Sequence, residues 1–377
     1  MKVLQIGTDW FPERPGGLAR MFYGGMRFLP GAGVTVRGLA IAQRPDLEVP
    51  NLSIFAPPEV SLGRRWWGLG RSVSQILSSE SIDLVASHFA LYTLPILPLL
   101  SRTPLVVHFH GPWALESQAE GASGGVIALK RWLEGQVYRR ARGLIVLSEA
   151  FRSVLHEGYG VPTERIHVVP GGVDVSRFVP AVSPLQARRQ LGWPEDRYCL
   201  LSVRRLTQRM GLESLIRAIA LLRPTLPLIR LYIAGTGPQR SVLEALTQEL
   251  DLQDHVRLLG FVPDADLPLV YRAAHLSVMP SLAWEGFGLS VVESLAVGTP
   301  VLVTAVGGMP EIIRPLSPQL IVPDSEPETL ARAIAQIYQG TCPLPEPATC
   351  ETYVRNHYDW SVIAAQWRDI YRLYLTP

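Results

Sequence analysis

Two glutamates, Glu285 and Glu293, lie eight positions apart in the stretch WEGFGLSVVESLAVGTP. A Gly-Phe-Gly turn follows the first glutamate, and Leu289, Val292 and Ala296 then repeat at helical spacing. The start of a helix can bind an anion, because free backbone N–H groups and the helix dipole both point toward the ligand. Carboxylates beside such a site suit hydroxyl groups, so the stretch favours a molecule with phosphates and sugars, a nucleotide-sugar. The alternative is a pair of solvated carboxylates that only stabilise the helix dipole.

The spacing of the two glutamates resembles the E-x7-E motif of glycosyltransferase family 4, the retaining enzymes of GT-B fold also called glycosyl transferases group 1. The resemblance covers nearly the whole chain, because the motifs below follow in the family's order. It implies that Glu285 contacts the donor sugar and that Glu293 contacts the ribose of the nucleotide. The donor-binding candidates that it implies between them are Gly286, Phe287, Gly288 and Leu289.

A histidine stands directly after the apolar run Leu105–Phe109, a candidate buried strand. Open α/β sheets bind ligands at the carboxyl ends of their strands, so His110 is well placed for chemistry. By resemblance it matches the family's active-site histidine, close to the donor sugar. His108 would share a face with it but lies deeper in the strand, which makes it the weaker candidate. His88 ends another candidate strand and either lines the same site or supports it.

The segment SVRRLTQRMG, which begins at position 202, resembles the family's phosphate clamp, where Gly-Arg-Leu precedes Lys-Gly. Arg205 takes the place of the arginine. Arg204 replaces the glycine, and Met210 stands at the lysine position. The loss of a cation would weaken diphosphate binding. Arg209 is the candidate replacement, because a guanidinium group suits paired contacts with phosphate.

Two further loops follow candidate strands in the second half of the chain. Gly235 and Gly237 resemble the family's loop next to the nucleotide. Phe261 and Val262 resemble the segment whose backbone meets the base. All four residues are therefore donor-binding candidates.

A Gly-Gly pair, Gly16 and Gly17, follows the first candidate strand in the stretch PERPGGLAR, residues 12–20. It resembles the family's glycine loop on the acceptor side. The loop lacks the GxGxxG spacing, which argues against a dinucleotide-binding fingerprint. A tight turn between a strand and a helix is the alternative.

Asp264 and Asp266 form a DxD pattern, which chelates a divalent metal in transferases of a different fold. Here the pair precedes an apolar helical pattern, so we expect the carboxylates to cap that helix. We predict an enzyme that needs no metal and no cofactor.

Composition excludes several classes of protein. The chain has 377 residues, of which 47% are hydrophobic and 18% charged, and a net charge of +2. This is a globular chain long enough for two domains, without the charge of a nucleic-acid-binding protein. Its three cysteines have neither metal-binding nor disulfide spacing.

Neither a membrane-spanning run of about 18 apolar residues nor a signal peptide is evident. We therefore expect a cytoplasmic protein. The Arg64-Arg65-Trp66-Trp67 stretch would suit peripheral contact with the inner face of a membrane, and an ordinary surface patch is the alternative.

Short apolar runs alternate with longer amphipathic stretches, the pattern of parallel sheets with crossover helices. Candidate strands of the first half are 2–7, 34–39, 84–87, 105–109, 143–147 and 166–169. Those of the second half are 198–203, 229–234, 256–259, 276–279, 301–304 and 319–322. The two sets predict an α/β protein with two Rossmann-like domains, 1–178 and 179–360. The resemblance to GT-B enzymes implies that the domains face each other across a deep cleft and that a last helix, 361–377, packs back on the first.

We therefore predict a retaining glycosyltransferase that moves a sugar from a nucleoside-diphosphate sugar to an acceptor hydroxyl. Its catalytic candidates are His110, Glu285, Arg205 and Arg209. The acceptor would be a glycan, a lipid-linked sugar or a small molecule, as in polysaccharide, glycolipid or glycoside biosynthesis. Two rivals remain: a nucleotide-sugar epimerase of the same fold, and a non-catalytic nucleotide-sugar-binding protein, which Met210 favours.

Overall fold

The computed structural model describes residues 1–11, 13–14, 16–44, 49, 51–119, 121–178 and 182–375. The chain divides into two compact units. The first comprises Met1–Gly172 together with the segment that begins at Trp360, and the second comprises Val173–Asp359. The boundary predicted from the sequence, after Phe178, falls next to residues 179–181, which lie outside the described part, as do Pro12 and Pro15 of the predicted acceptor-side loop.

The first unit contains a parallel sheet with seven strands among the described residues, in the order β3-β2-β1-β4-β5-β6-β7. The strands are β1 (Lys2–Asp9), β2 (Thr35–Ile41), β3 (Leu52–Ala56), β4 (Leu84–Ser87), β5 (Leu105–Phe109), β6 (Gly143–Val146) and β7 (Ile166–Val168). The order reverses between β1 and β4, so ligands of this unit are expected at the carboxyl ends of those two strands.

Helices connect most of these strands, because neighbouring parallel strands need crossover connections. They are α1 (Gly17–Phe28), α2 (Leu62–Ser79), α3 (Ala90–Thr93), α4 (Trp113–Ala119), α5 (Gly124–Arg140) and α6 (Glu149–Tyr159). One face of the sheet forms an apolar core in which Leu4, Leu39, Val85 and Leu144 are fully buried.

The second unit has a six-stranded parallel sheet within the described range, in the order β10-β9-β8-β11-β12-β13. The strands are β8 (Tyr198–Val203), β9 (Ile229–Ala234), β10 (Val256–Gly260), β11 (Leu276–Met279), β12 (Val301–Thr304) and β13 (Ile321–Val322). The helices are α7 (Pro184–Leu191), α8 (Leu212–Leu222), α9 (Arg240–Glu249), α10 (Leu267–Ala273), α11 (Leu289–Ala296), α12 (Met309–Ile313), α13 (Pro327–Tyr338) and α14 (Pro347–Tyr358). The order of the strands reverses between β8 and β11.

The last helix, α15 (Trp360–Leu373), packs on the first unit. Gly24 and Gly25 of α1 make room for it, since a Cβ at these positions would lie 2.0 Å from the Trp360 ring and 2.7 Å from the Trp367 ring. Tyr371 of this helix is fully buried.

The architecture confirms the predicted α/β class with two Rossmann-like domains. One strand was missed: β3 pairs only with β2 and so forms the edge of its sheet. The predicted strand 319–322 is shorter than expected, because Pro318–Leu320 form a 3-10 turn that precedes β13.

The predicted membrane-contact stretch lies on α2. Arg65 is directed toward its own unit, where it donates hydrogen bonds to the Val60 carbonyl at 3.0 Å and to the Tyr92 hydroxyl at 3.1 Å. Trp67 is 68% exposed. Across the described chain, no helix combines the length and the apolar character needed to cross a membrane.

Candidate functional site

The site in the second unit is built around Glu285, in the loop that precedes α11. Its Oε2 atom accepts a hydrogen bond from Arg204 Nη1 at 2.7 Å and a longer one from Ser281 Oγ at 3.4 Å. Its backbone carbonyl accepts from the Gly308 N–H at 2.9 Å. Both the side chain and the backbone of this glutamate are therefore held in place by the loops that follow β8, β11 and β12.

Arg204 and Glu285 form a largely buried ion pair, with side chains 5% and 14% exposed. Arg204 Nη2 also donates to Met309 Sδ at 3.0 Å, while its Nε is buried without a partner in the described structure. Leaving one member of such a pair uncompensated costs about 3–5 kcal/mol. Arg204, which the sequence showed only as a departure from the phosphate-clamp pattern, is thus the residue that holds Glu285.

Glu293 lies within α11 and is 6% exposed. Its Oε2 atom accepts a hydrogen bond from the Tyr271 hydroxyl at 2.9 Å. Neither glutamate is a freely solvated carboxylate, since each has a specific polar partner. Tyr271 is thus a partner of Glu293, and Ser281 is a partner of Glu285.

The two predicted clamp arginines have different surroundings. Arg205 is exposed. Arg209 is half-buried; its Nη1 donates to the Trp284 carbonyl at 2.9 Å, and its Nε is a second buried N–H that the described residues leave unpaired. Met210, at the position of the family's lysine, is 4% exposed and lies in the core, with Sδ 4.0 Å from Ser281 Oγ.

Trp284, which receives the Arg209 hydrogen bond, has a left-handed backbone with φ of 50°. Such a conformation costs a bulky residue roughly 1–3 kcal/mol and persists only where its surroundings impose it. The strain directly precedes Glu285, so the loop is held in a specific shape rather than relaxed.

The glycine turns predicted to contact the donor lie at the carboxyl ends of β9 and β10. Gly235 has φ of +141°, and a Cβ there would lie 1.8 Å from the Arg204 carbonyl oxygen, so only glycine fits. Its N–H donates to the Gly260 carbonyl at 2.7 Å, which brings the two turns together. Gly237 belongs to the first turn. Phe261 follows the second, with its side chain 60% exposed.

The remaining predicted donor contacts lie beside these turns or in the loop before α11. Val262 is half-buried, as are Gly286 and Leu289. Phe287 is 4% exposed, and its ring packs 5.6 Å from Tyr358, so that side chain belongs to the core. Gly288 occupies the N-cap position of α11 with φ of 102°.

The DxD prediction needs correction. Asp266 stands at the N-cap of α10, but its side chain makes no capping hydrogen bond. The carboxylate of Asp264 forms an ion pair with Arg177. In the described part of the chain, no group of three or more histidine, cysteine, aspartate or glutamate residues could hold a metal ion.

In the first unit, His110 follows β5 as predicted and contacts His88. His110 Nε2 and His88 Nδ1 are hydrogen-bonded at 3.0 Å, and His88 Nε2 contacts Gln5 Oε1 at 2.7 Å. The rings of His88 and His108 stack with centroids 4.4 Å apart. His88 therefore holds the His110 ring through a direct hydrogen bond. Gly16 and Gly17 are exposed at the start of α1.

A buried carboxylate fixes the loop that follows His110. Glu134 accepts hydrogen bonds from the Trp113 N–H at 2.9 Å and from the Tyr159 hydroxyl at 2.6 Å, and it is 1% exposed. Burial raises the pKa of Glu134, and the Tyr159 hydrogen bond acts in the opposite direction. Because Trp113 begins α4, Glu134 anchors this helix three residues beyond His110.

Burial keeps the three histidines neutral. It lowers the pKa of His110 to about 3, and it holds the pKa values of His88 and His108 well below the usual value, with their histidine neighbours adding to the effect. Histidines in the unfolded chain take up protons near pH 6.5, whereas these three do not. Their contribution to stability is therefore present above about pH 6.5 and is lost as the pH falls below it.

We expect the free energy of unfolding of the first unit to fall steeply between pH 7 and pH 5, by at most about 4 kcal/mol per pH unit for three histidines. Urea titrations with amide exchange in β1 and β5 as the readout would measure it. His88→Asn should lower the slope, while His357→Gln, at an exposed position, should not. A stability that does not change over this pH range would contradict the expectation.

The fold defined by these two units is shared with solved structures. HepE from Anabaena, in complex with UDP and glucose, superposes with a TM-score of 0.80, with 22% sequence identity, covering 99% of this chain and all of HepE. At this identity the likeness concerns the fold, which is the GT-B fold of glycosyltransferases.

Two family models match the sequence: Glycosyltransferase Family 4 over residues 15–177 and Glycosyl transferases group 1 over residues 185–357. The D-inositol 3-phosphate glycosyltransferase of Thermobifida fusca is 31% identical over 315 residues, 80% of this chain and 70% of that protein. Its counterpart in Corynebacterium urealyticum is 34% identical over 257 residues, 64% of this chain. The match spans 59% of that protein, less than two thirds of its length. The chain belongs to the glycosyl transferases group 1 family.

Proposed function

We propose that this protein is a glycosyltransferase, which transfers a sugar from a nucleoside-diphosphate sugar to an acceptor hydroxyl with retention of the anomeric configuration. The observation that carries the proposal is the site at the β8/β11 reversal. There the Glu285 carboxylate is paired with Arg204, and Arg209 donates to the carbonyl of the preceding residue, Trp284. Each arginine has a buried N–H without a partner among the described residues. Buried polar groups are almost always hydrogen-bonded, so unpaired guanidinium N–H groups at a ligand edge favour an anionic ligand.

The proposed roles follow from these positions. Glu285 would hold hydroxyl groups of the donor sugar, in the orientation that Arg204 imposes. Arg205 and Arg209 would neutralise the charge that develops on the leaving diphosphate, together with the N-terminus of α11. Charge stabilisation by groups already in place commonly contributes more to an enzyme's rate enhancement than any other effect.

Glu293 would hold the ribose of the donor. The turns at Gly235 and Phe261 would surround the rest of the nucleotide. In the first unit, His110 would contact the sugar, and the loop at Gly16 and Gly17 would receive the acceptor. Polysaccharide, glycolipid and small-molecule acceptors all fit this proposal.

The relatives suggest the first donors to test. The solved structure of HepE holds UDP and glucose, which makes UDP and UDP-glucose the first pair. The relatives named for D-inositol 3-phosphate suggest a phosphorylated polyol as one acceptor.

A thermal-shift screen of UDP, GDP, ADP, dTDP and their sugars tests donor binding. A ligand at roughly 100 times its Kd adds about 2.7 kcal/mol of stability, which is a clear shift. We expect one base to stand out. Transfer with a matching acceptor, followed by NMR of the anomeric proton of the product, would test retention; an inverted product would contradict the mechanism.

The same assays distinguish the two rivals. An epimerase would convert the donor without any acceptor and without releasing nucleoside diphosphate in proportion to product. A non-catalytic binding protein would show the thermal shift but neither transfer nor hydrolysis.

We propose that the reaction needs no metal, because Asp264 of the DxD pair is held by Arg177 in an ion pair. We expect turnover to survive an excess of EDTA within about twofold, because arginine side chains and the α11 N-terminus take the role that a cation would play. Loss of turnover in EDTA, with recovery on addition of Mn²⁺, would show that a metal participates.

A further inference from the structure

A chain of polar side chains runs through the core of the first unit and ends at His110. From His110 it passes through His88 to Gln5, as described above. Gln5 Nε2 then donates to the Tyr371 hydroxyl at 3.0 Å, and Tyr371 lies 2.6 Å from His108 Nε2. Gln5, His88, His108 and Tyr371 are each 2% exposed or less. The chain thus connects the last helix, α15, to a residue at the ligand edge of the sheet.

The hydrogen-bond partners fix where the protons lie. A neutral imidazole has one donor and one acceptor nitrogen, and an amide oxygen only accepts. Since His88 Nε2 faces Gln5 Oε1, it must carry the proton, and His88 Nδ1 is then an acceptor. The nitrogen opposite it, His110 Nε2, must therefore donate. This leaves the His110 Nδ1 lone pair, which has no partner among the described residues.

The hydrogen bonds at Tyr371 and His108 fit the same order of donors and acceptors. The Tyr371 hydroxyl accepts from the Gln5 amide, so its single proton is free for His108 Nε2. If the Gln5 amide were rotated so that its Nε2 faced His88, each hydrogen bond between Gln5 and His110 would have its donor and acceptor exchanged. The orientation of the Gln5 amide, which is hydrogen-bonded to Tyr371, therefore decides which nitrogen of His110 carries the proton.

We infer that Gln5, His88 and Tyr371 are positioning residues that hold His110 in the tautomer with its proton on Nε2. The only further hydrogen bond that the His110 ring can make is then one accepted at Nδ1, as from a hydroxyl group. His110 acts in this state as a fixed acceptor and not as an acid. Its role toward a sugar hydroxyl rests on the proposed function, but the tautomer itself does not.

Two tyrosines of the C-terminal segment provide a matched test. Tyr371→Phe removes the hydroxyl that holds Gln5 without touching His110. Tyr374→Phe removes a hydroxyl just beyond the end of α15 that contacts His167 Nε2 at 2.7 Å and lies outside the chain of polar groups. The first measurement is nitrogen NMR of protein labelled in its histidines, in which the His110 signals are identified by their loss in His110→Gln. The second is turnover of the donor.

In the wild type we expect a protonated Nε2 and an unprotonated Nδ1 at His110. Tyr371→Phe should give a mixture of tautomers and lower kcat about three- to tenfold, with the donor KM within about twofold. Tyr374→Phe should change neither. A proton on Nδ1 in the wild type, or a Tyr371→Phe variant with unchanged tautomer and kcat, would overturn the inference.

A second pair acts directly on the neighbour of His110. His88→Asn keeps an acceptor close to the position of Nδ1, so the tautomer and most of the turnover should remain. His88→Leu removes that acceptor, and both should be lost. Equal spectra of His110 in the two variants would argue against positioning by His88. NMR determines the tautomer of His110 without substrate. A protein with the expected tautomer but no transfer activity would therefore contradict the proposed function and leave this inference intact.

Discussion

Replacing Arg204 by glycine, the residue usual in the family, is expected to lower turnover at least tenfold and to destabilise the second unit. The substitution removes the buried guanidinium group that lies 2.7 Å from Glu285 Oε2. Breaking a buried ion pair in this way costs about 3–5 kcal/mol, because the remaining charge is left uncompensated. Urea unfolding and donor turnover would measure the two effects.

The double variant Arg204→Gly with Met210→Lys should recover much of both losses. Met210 Sδ lies 4.0 Å from Ser281 Oγ, which in turn lies 3.4 Å from Glu285 Oε2. The ammonium group of a lysine at position 210 would therefore come within reach of Glu285. Arg204→Gly with Met210→Leu is the matched control, since it changes the core without supplying a cation.

This pair of substitutions tests whether Arg204 supplies a positive charge beside Glu285 that a lysine at position 210 could supply instead. A single Arg204→Gly variant within about twofold of the wild type in turnover and stability would show that the ion pair has no role. A double variant no better than the leucine control would show that Arg204 acts only through packing.

The two glutamates should separate by ligand. Glu293→Ala is expected to weaken binding of both the nucleoside diphosphate and its sugar by a similar amount, because both ligands carry the ribose. Glu285→Gln should lower turnover while leaving nucleoside-diphosphate binding unchanged. A hydrogen bond to a charged group is worth roughly 1.5–3 kcal/mol, so each loss should be about tenfold or more.

Calorimetric titration and initial rates would measure these effects. Tyr271→Phe is a useful control, since it removes the 2.9 Å hydrogen bond to Glu293 but keeps the carboxylate. If it preserves binding while Glu293→Ala does not, the carboxylate itself contacts the ligand. If Glu285→Gln and Glu293→Ala both remain within about twofold of the wild type, neither glutamate has the proposed role.

Most strands of the two sheets could be predicted from the sequence, because buried parallel strands appear as continuous apolar runs. β8 and β9 occur at their predicted bounds, as does β5 in the first unit. The missed strand β3 has two half-buried positions, Ser53 and Ile54, among its five residues. An edge strand pairs on one side only, so its sequence need not be uniformly apolar.

The local part of the site was predictable for a similar reason. The helix after Gly288 and the position of His110 after a strand depend on neighbours within a few residues. The role of Arg204 could not be predicted in this way. Arg204 contacts Glu285, which lies 81 positions away in the sequence, and the sequence shows only that an arginine stands where the family has glycine. The partner of Asp264, Arg177, lies 87 positions away, which is why a cap was predicted where an ion pair exists.

The polar chain behind His110 could not have been predicted from spacing at all. Gln5 and Tyr371 are separated by 366 positions and meet only because α15 packs on the first sheet. The ring of Tyr371 is buried, as is that of Trp367. Its hydroxyl group takes part in the network, which helical periodicity does not reveal.

The most direct test of the central claim is release of nucleoside diphosphate from a panel of UDP-, GDP-, ADP- and dTDP-sugars, with and without candidate acceptors. Glu285→Gln is the matched control, since it keeps the size of the side chain. We expect the wild-type chain to release nucleoside diphosphate from at least one donor, faster when an acceptor is present, and at least tenfold more slowly in the variant. No release from any donor, or equal rates in the wild type and the variant, would contradict sugar transfer at this site.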